Sequence, residues 1–254
     1  MTAPAAVPPR PAALLIDFGG VLADVPPGHP PRPAAPPDVV ARLHDVVAGA
    51  VPAPVIARDL AAGHTAYARW RDEDHPEELT HEQVWAFVTA GWPGPAAEAV
   101  RRAATPLSYQ WAWRPEWRLR PGVEGAVRAA DAAGVPLAVV SNALCGAAHR
   151  DLLAQTGIGG LFAAQIYSDE VGLRKPDPEM IRRAGRALGV PVEGCWFVGD
   201  SRQRDVQCAR RAGVAFAVLM RSARTAREDP GRWPGPDATV DDGHGLLALL
   251  RTGW

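Results

Sequence analysis

The most constraining feature of this sequence is a regular alternation of short apolar runs and helical segments between residues 120 and 250. The helical segments lie near 121–133, 146–156, 178–188, 206–212 and 241–250, and the apolar runs lie near 136–140, 162–167, 195–198 and 214–220. One further apolar run, at 12–16, lies near the start of the chain. Strands that alternate with helices of this length form parallel βαβ units. We therefore predict an α/β fold, a Rossmann-like parallel sheet flanked by helices.

A second region, residues 38–117, has a different pattern. Its apolar residues recur at helical spacing, and six of the nine tryptophans lie in it. Seven prolines in twelve residues precede it at 26–37, and such a stretch favours a stiff extended linker over a helix or strand. The sequence thus predicts a core domain of residues 12–24 and 119–254, with an all-helical cap domain inserted at 25–118. Residues 1–11, rich in proline and alanine, are expected to be disordered.

Polar residues follow three of the predicted strands at the point where each strand ends. Asp17 follows the first strand, Ser141 and Asn142 follow a second, and Gly199 and Asp200 follow a third. In open parallel sheets, ligands bind outside the carboxyl ends of the strands. The sequence therefore predicts a functional site where these three strand ends meet.

The composition excludes several classes of protein. Apolar residues make up 47% and charged residues 22% of the chain, the balance of an ordinary globular protein. A net charge of −1 gives no sign of a nucleic-acid or anionic-membrane partner, and no apolar run is long enough for a membrane span. Three cysteines without metal-ligand spacing, and an N-terminus without a signal-peptide pattern, favour a cytoplasmic setting. The sequence does not specify an oligomeric state.

Nearly all the basic residues of the chain are arginines. Of 27 lysines and arginines only Lys175 is a lysine, and Asn142 is the only asparagine. Lysine is a compact point charge, whereas arginine is a planar fork. Lys175 is therefore a candidate for a position that requires a point charge, with chance retention as the alternative.

Four segments together resemble one known family. They are I-D-F-G-G-V-L at 16–22, V-V-S-N-A at 139–143, G-L-R-K-P-D-P-E at 172–179 and F-V-G-D-S-R-Q-R-D at 197–205. In this order they resemble the haloacid-dehalogenase-like (HAD) superfamily, in particular its phosphatases with a helical cap inserted after the first strand. The resemblance covers 12–24 and 119–250, while the stretch between matches only in position and helical character.

The resemblance implies a phosphatase acting on a small phosphorylated molecule. Asp17 would be the nucleophile that forms an aspartyl-phosphate, and Lys175 would set its ammonium against that carboxylate and the transferring phosphate. Ser141 would hold phosphate oxygens together with nearby backbone groups at Gly19 and Gly20. Asn142 would support Ser141.

The resemblance also implies a Mg²⁺ site. Asp17 and Asp200 would supply carboxylate ligands, and Gly19 would contribute its backbone carbonyl. Asp205 would act through water or position Lys175, although an ordinary aspartate at the start of a helix is the alternative.

The chain departs from the family pattern at one position. The usual first motif has a second aspartate two residues after the nucleophile, which protonates the leaving group and then activates water, whereas this chain has Gly19. General acid–base catalysis typically contributes about 10²–10⁴-fold, so poor leaving groups should suffer most. Asp24 and His29, just past the first strand, are the candidates to substitute for it.

Three functions remain open at this point. The first is a Mg²⁺-dependent phosphatase with altered acid–base chemistry. The second is a metal-independent dehalogenase-type hydrolase, whose relatives also lack the second aspartate. The third is a catalytically weak phosphate-binding or regulatory protein. Asp200 and Asp205 favour the first.

The tryptophans of the cap have two interpretations. They either pack the cap helices, or some of them line a pocket for an aromatic or sugar-like leaving group. Trp111, Trp113 and Trp117 are the candidates for such a lining, because they lie just before the chain re-enters the core.

Overall fold

The computed structural model of the protein describes residues 8–73 and 77–252. In chain order, its strands are β1 (Ala13–Ile16), β2 (Ala23–Asp24), β3 (Arg118–Leu119), β4 (Leu137–Ser141), β5 (Phe162–Tyr167), β6 (Cys195–Gly199), β7 (Phe216–Met220) and β8 (Ala238–Val240). Six of them form one parallel sheet with the order β5-β4-β1-β6-β7-β8. The predicted α/β fold with a parallel sheet is confirmed.

The helices fall into two groups, those of the inserted cap and those that pack on the sheet. The cap helices, between β2 and β3, are α1 (Pro37–Val46), α2 (Ala53–Asp72), α3 (His81–Thr89), α4 (Gly94–Arg102) and α5 (Ala104–Ala112). The core helices are α6 (Val123–Ala132), α7 (Gly146–Gln155), α8 (Ser168–Val171), α9 (Glu179–Leu188), α10 (Gln207–Ala212) and α11 (Gly243–Thr252).

Strand β1 lies at the centre of the sheet and is fully buried. Leu14 and Ile16 face one apolar cluster, and Ala13 and Leu15 face another on the opposite side of the sheet. In the sheet, β4 pairs with one edge of β1 and β6 pairs with the other. Later strands are therefore added in opposite directions from β1, which makes β1 the point where the strand order reverses. A reversal of strand order opens a crevice at the carboxyl ends of the strands. The residue after β1, Asp17, lies at this point.

The cap has its own apolar core, separate from the two clusters of the sheet. Trp85 is fully buried in it, and its indole N–H donates to the Ala104 carbonyl and the Ser108 hydroxyl. Buried indole nitrogens usually find such partners. Trp85 therefore packs the cap helices.

The chain passes between core and cap through a short antiparallel ribbon. Ala23 pairs with Leu119 and Asp24 with Arg118, so the exit from the core and the return to it lie side by side. The proline-rich stretch follows the exit strand and contains no helix or strand before α1 begins at Pro37. Arg32 anchors this stretch to the cap by donating to the carbonyls of Gln110 and Trp113.

The N-terminal segment differs in part from the expectation of disorder for 1–11. Residues 1–7 lie outside the described part of the chain. Pro8 and Pro11 are buried, and the Arg10 guanidinium donates a hydrogen bond to the Ala133 carbonyl. Residues 8–11 therefore pack against the core domain.

Of the helices in the described residues, none combines the length and the apolar character that a membrane crossing requires.

Candidate active site

Asp17 is placed by the backbone of the central strand. Its N–H donates to the Val198 carbonyl at 2.9 Å, which continues the β1–β6 pairing for one residue beyond the strand. The residue is 7% exposed, and it lines a cavity of about 260 Å³ between core and cap. Asp17 thus presents a carboxylate to this cavity at the switch point of the sheet.

Lys175 makes close contacts with two carboxylates. Its Nζ lies 2.8 Å from Asp17 Oδ1 and 2.6 Å from Asp205 Oδ1, and it donates to the Val140 carbonyl at 2.9 Å. Burial alone would lower the pKa of Lys175, but the two carboxylates outweigh it and raise that pKa above its ordinary value. Lys175 is therefore a fixed ammonium beside Asp17.

Asn142 holds the backbone of that lysine. Its side-chain oxygen accepts from the Lys175 N–H at 2.8 Å, and its side-chain NH₂ donates to the Lys175 carbonyl at 2.9 Å. The sequence predicts that Asn142 supports phosphate binding from beside Ser141, and this role stays a prediction. The structure adds a second role that the sequence did not indicate, because both ends of the amide position Lys175.

Three carboxylates converge beside this lysine. Oxygens of Asp17, Asp200 and Asp205 all lie within 4.8 Å of one another, and all three residues are buried. Burial and the negative charges of Asp205 and Asp17 raise the pKa of Asp200 to about 7. Such a cluster of hard oxygen ligands suits a divalent cation, which would relieve the mutual repulsion.

The three carboxylates are held in different ways. Asp205 accepts the backbone N–H groups of Asp200 and Ser201 with Oδ2, each at 3.0 Å, while its Oδ1 faces Lys175. Asp200 Oδ2 accepts a hydrogen bond from the Ser222 hydroxyl at 2.7 Å. Both oxygens of Asp205 are thus occupied within the protein, so Asp205 positions Lys175 and the loop that carries Asp200.

The two glycines after Asp17 have different constraints. Gly20 has a φ of +75°, and a Cβ there would lie 2.2 Å from Asp200 Oδ2. Its N–H donates to the Ala23 carbonyl at 2.9 Å. The assignment of Gly20 to phosphate binding therefore needs correction, because its N–H is already used and its role is to make the turn under Asp200. Gly19 lines the cavity, and a Cβ on it would meet open space.

Ser141 ends β4 and lines the cavity beside Asp17. Further along the same loop, the Ala143 N–H donates to the Ser168 hydroxyl, and the Gly146 N–H donates to the Asp169 carboxylate. Those two backbone donors are therefore already paired, and Ser141 is the hydroxyl that this loop presents to the cavity.

The two candidates for a replacement acid lie elsewhere. Asp24 and His29 are exposed, and they line grooves outside the cavity that contains Asp17. The groove that contains Asp24 also includes Gly19 and Asp200, whereas His29 lies in the groove beside the proline stretch. Of the two candidates, Asp24 is therefore the one that shares a groove with the glycine, and its role as a replacement acid stays a prediction.

The tryptophans divide between two places. Trp111 and Trp117 line the cavity, whereas Trp113 lines a separate groove beside the proline stretch. Trp117 also packs edge-on against Phe18 and His149. Of the three predicted lining residues, two can contact a ligand above Asp17.

His149 was missed from the sequence. Its ring stacks on Phe18 with 3.8 Å between the ring centres, and burial lowers its pKa to about 3. A neutral, packed imidazole supports the residue next to Asp17. In the sequence it is one histidine on an ordinary helix, so no pattern marks it.

Several arginines of the cavity were also missed. The cavity is lined on its core side by Arg204 and Arg224, and on its cap and linker side by Arg32, Arg71 and Arg114. Because arginine supplies almost all the basic residues of the chain, its presence at these positions carries no signal in the sequence.

Comparison with known protein families identifies the family of this chain. A model of the haloacid dehalogenase-like hydrolase family matches residues 11–213, which include the four segments and every residue of the acidic cluster. The chain belongs to the haloacid dehalogenase-like hydrolases, and it is an enzyme of that class.

Individual relatives agree with this assignment. The chain is 33% identical over 180 residues to a phosphoserine phosphatase of Thermus thermophilus, an alignment that covers 63% of this chain and 70% of the relative. A solved HAD phosphatase from Thermococcus onnurineus has a TM-score of 0.59 and 17% identity, covering 94% of this chain and 97% of that one. A solved 2-haloacid dehalogenase from Pseudomonas syringae has a TM-score of 0.61 and 20% identity, covering 94% and 96%. These structures share the fold over most of this chain.

Proposed function

We propose that this protein is a Mg²⁺-dependent phosphomonoesterase that acts on a small phosphorylated metabolite through an aspartyl-phosphate on Asp17. The observation that carries the proposal is the position of the Asp17 carboxylate, 2.8 Å from the Lys175 ammonium and beside Asp200 at the end of the central strand. The relative in Thermus thermophilus, a phosphoserine phosphatase, supports phosphoryl transfer as the chemistry.

The reaction has two displacement steps at phosphorus. In the first, a carboxylate oxygen of Asp17 attacks the phosphorus, and the bond to the leaving oxygen breaks. In the second, water attacks the phosphorus of the aspartyl-phosphate, which releases inorganic phosphate and restores the carboxylate. Lys175 stays beside Asp17 throughout, and its charge offsets the negative charge of the phosphoryl oxygens. Ser141 is placed to donate to one of those oxygens.

The residues at the site fit a magnesium ion. The carboxylates of Asp17 and Asp200 and the carbonyl of Gly19 would hold it. Asp205 would position Asp200 by accepting hydrogen bonds from the backbone of its loop. Burial and the negative charges of Asp205 and Asp17 raise the pKa of Asp200, and a divalent cation held there would offset these effects. When bound, Mg²⁺ neutralises phosphoryl charge and aligns the phosphate for attack.

Gly19 gives the proposed mechanism an unusual feature. It carries no group to protonate the leaving oxygen or to activate the attacking water. The leaving oxygen takes its proton from solvent, so good leaving groups should react much faster than alkoxides. Hydrolysis of the aspartyl-phosphate is expected to be slow for the same reason.

A dehalogenase-type hydrolase is the alternative reaction. That chemistry also uses a carboxylate nucleophile, and halide leaves without a proton, so Gly19 is compatible with it. The second carboxylate, Asp200, favours the phosphatase, because a carbon–halogen displacement has no use for a buried acidic cluster that attracts a cation.

The test is phosphate release from p-nitrophenyl phosphate and from a panel of phosphorylated metabolites, with Mg²⁺ and with a chelator. We expect release that depends on Mg²⁺. Halide release from 2-haloacids without any phosphate release would favour the dehalogenase. Failure of both reactions in folded protein would favour a binding or regulatory role.

Lys175 provides a sharper prediction for the same assay. We expect Lys175→Arg to lower kcat on p-nitrophenyl phosphate by about 10²–10³-fold, the typical cost of losing one preorganised charge contact. Arginine keeps the charge, but its planar fork cannot occupy the space between two carboxylates that a compact ammonium fills. The matched control is Arg69→Lys on the exposed face of α2. Full activity in Lys175→Arg would show that only the charge matters.

The pKa of Asp200 predicts how magnesium stabilises the fold. Because its folded-state pKa is raised to about 7, above the ordinary value, its ionisation in the metal-free protein disfavours folding, and stability falls as the pH rises toward 7. Mg²⁺ favours the ionised form. We therefore expect Mg²⁺ to raise Tm by several degrees near pH 8 and by much less near pH 5. Thermal unfolding with and without Mg²⁺ measures this, and Asp200→Asn should abolish the difference.

A further inference from the structure

The cavity above Asp17 carries more positive charge than one phosphate requires. Its lining includes the three carboxylates of the acidic cluster and six cationic side chains, of which five are arginines. Lys175 and Asp205 are paired with each other, and Asp200 lies 3.4 Å from the Arg224 guanidinium. The remaining arginines need a separate explanation.

Two of these arginines form no ion pair with an acidic side chain within residues 8–73 and 77–252, although Glu78 interacts with Arg71 and Glu116 with Arg114 at longer range. Arg71, in the last turn of α2, stacks on Tyr67 at 4.8 Å, and its buried Nε has no hydrogen-bond partner. Arg114 makes no side-chain hydrogen bond or ion pair with any residue in 8–73 or 77–252. By contrast, Arg204 pairs with Asp72 at 3.0 Å, and Arg32 donates to cap carbonyls.

Arg71 and Arg114 line the same cavity, and both interact electrostatically with His64. Burial and the positive charges of Arg71 and Arg114 together lower the pKa of His64, which lines the same cavity. Burial and the charges of Arg32 and Arg71 likewise lower the pKa of Arg114, against the opposing charge of Glu116. Two like charges that line one cavity favour binding of an anion there, because a guanidinium fork matches the geometry of a carboxylate or a phosphate.

We infer that the substrate carries a second anionic group, a carboxylate or a second phosphate, which Arg71 and Arg114 of the cap bind while Asp17 attacks the phosphate ester. This inference rests on the proposed phosphatase function and names its substrate class. The cavity of about 260 Å³ limits that substrate to a small metabolite. Since both arginines belong to the inserted region, the cap selects the substrate by charge, and the core supplies the chemistry.

Binding measurements on an inactive protein test the inference without turnover. We would titrate the Asp17→Asn protein with propyl phosphate, 3-phosphonooxypropanoate and propane-1,3-diyl bisphosphate in the presence of Mg²⁺, by calorimetry. At least one of the two ligands with a second anion is expected to bind on the order of tenfold to a hundredfold more tightly than propyl phosphate. The preferred ligand distinguishes a carboxylate from a phosphate. Equal Kd values for all three ligands would overturn the inference.

Substitutions of Arg71 and Arg114 test whether these two residues cause the tighter binding of ligands with a second anion. Adding Arg71→Gln and Arg114→Gln to the Asp17→Asn protein should remove the preference and leave the Kd of propyl phosphate unchanged. The control is Arg69→Gln, which removes an exposed charge from the same helix and should change neither value. If the double substitution weakens propyl phosphate to the same extent, the arginines bind the reacting phosphate and the inference is wrong.

Turnover by the wild-type protein separates the two proposals. Selective binding of the two-anion ligands without any phosphate release would leave this inference standing and overturn the phosphatase. Phosphate release by the wild-type protein, together with equal affinity of the Asp17→Asn protein for all three ligands, would support the phosphatase and overturn this inference.

Discussion

Asp17→Asn is expected to abolish phosphate release while leaving the fold intact. The asparagine side chain has nearly the same shape, but its amide is not a nucleophile toward phosphorus. Loss of a nucleophile typically lowers kcat by a factor of at least about 10³. Stability should change little, because Lys175 keeps its 2.6 Å contact with Asp205 and the repulsion among the three carboxylates decreases.

Phosphate release and thermal unfolding of the Asp17→Asn protein measure these two effects. The matched control is Asp131→Asn, an exposed aspartate on α6 of the core domain, which should retain full activity. Retained phosphate release in the Asp17→Asn protein would show that another residue accepts the phosphoryl group.

Gly19→Asp is expected to increase activity, which is unusual for a change in an active site. A Cβ at Gly19 meets open space, and the residue lines the cavity that contains Asp17. A carboxyl group there would supply the proton that an alkoxide leaving group needs, and general acid–base catalysis typically contributes about 10²–10⁴-fold. The rate on alkyl phosphates should therefore rise by at least about 10²-fold. The rate of the first step on p-nitrophenyl phosphate should rise far less, because p-nitrophenolate leaves without a proton.

The comparison of these two substrates distinguishes acid catalysis from other effects. Gly19→Asn is the control, because it adds a side chain of the same size that cannot exchange a proton in this way. An equal increase on both substrates in the first step would indicate altered binding. No increase on the alkyl phosphates would show that position 19 does not face the leaving oxygen.

Much of the fold and of the site's location could be predicted from local sequence. The run ending at Asp17 is apolar on both faces of its strand, which only a central strand requires, and the alternation after residue 120 specifies the parallel sheet. The edge strand β8 was not predicted, because its three residues are too short a run to give a pattern. The β2–β3 ribbon was missed for the same reason.

The features that escaped prediction depend on contacts between distant parts of the chain. Asn142 and Lys175 are far apart in sequence, and only the folded loops reveal that the amide holds the lysine backbone. The turn at Gly20 is required by the side chain of Asp200, which approaches from another strand. Arg71 and Arg114 face the cavity only because the cap folds over the sheet. In each case a single residue gains its role from a neighbour that the local pattern does not contain.

The most direct test of the proposed mechanism is detection of the aspartyl-phosphate itself. The wild-type protein would be mixed rapidly with excess p-nitrophenyl phosphate and Mg²⁺, quenched in acid, digested and analysed by peptide mass spectrometry. Because Gly19 offers no base to activate water, we expect a burst of p-nitrophenolate and a phosphoryl group on the peptide that contains Asp17. Turnover without a burst and without any phosphorylated peptide, or a phosphoryl group on another residue, would contradict the assignment of Asp17 as the nucleophile.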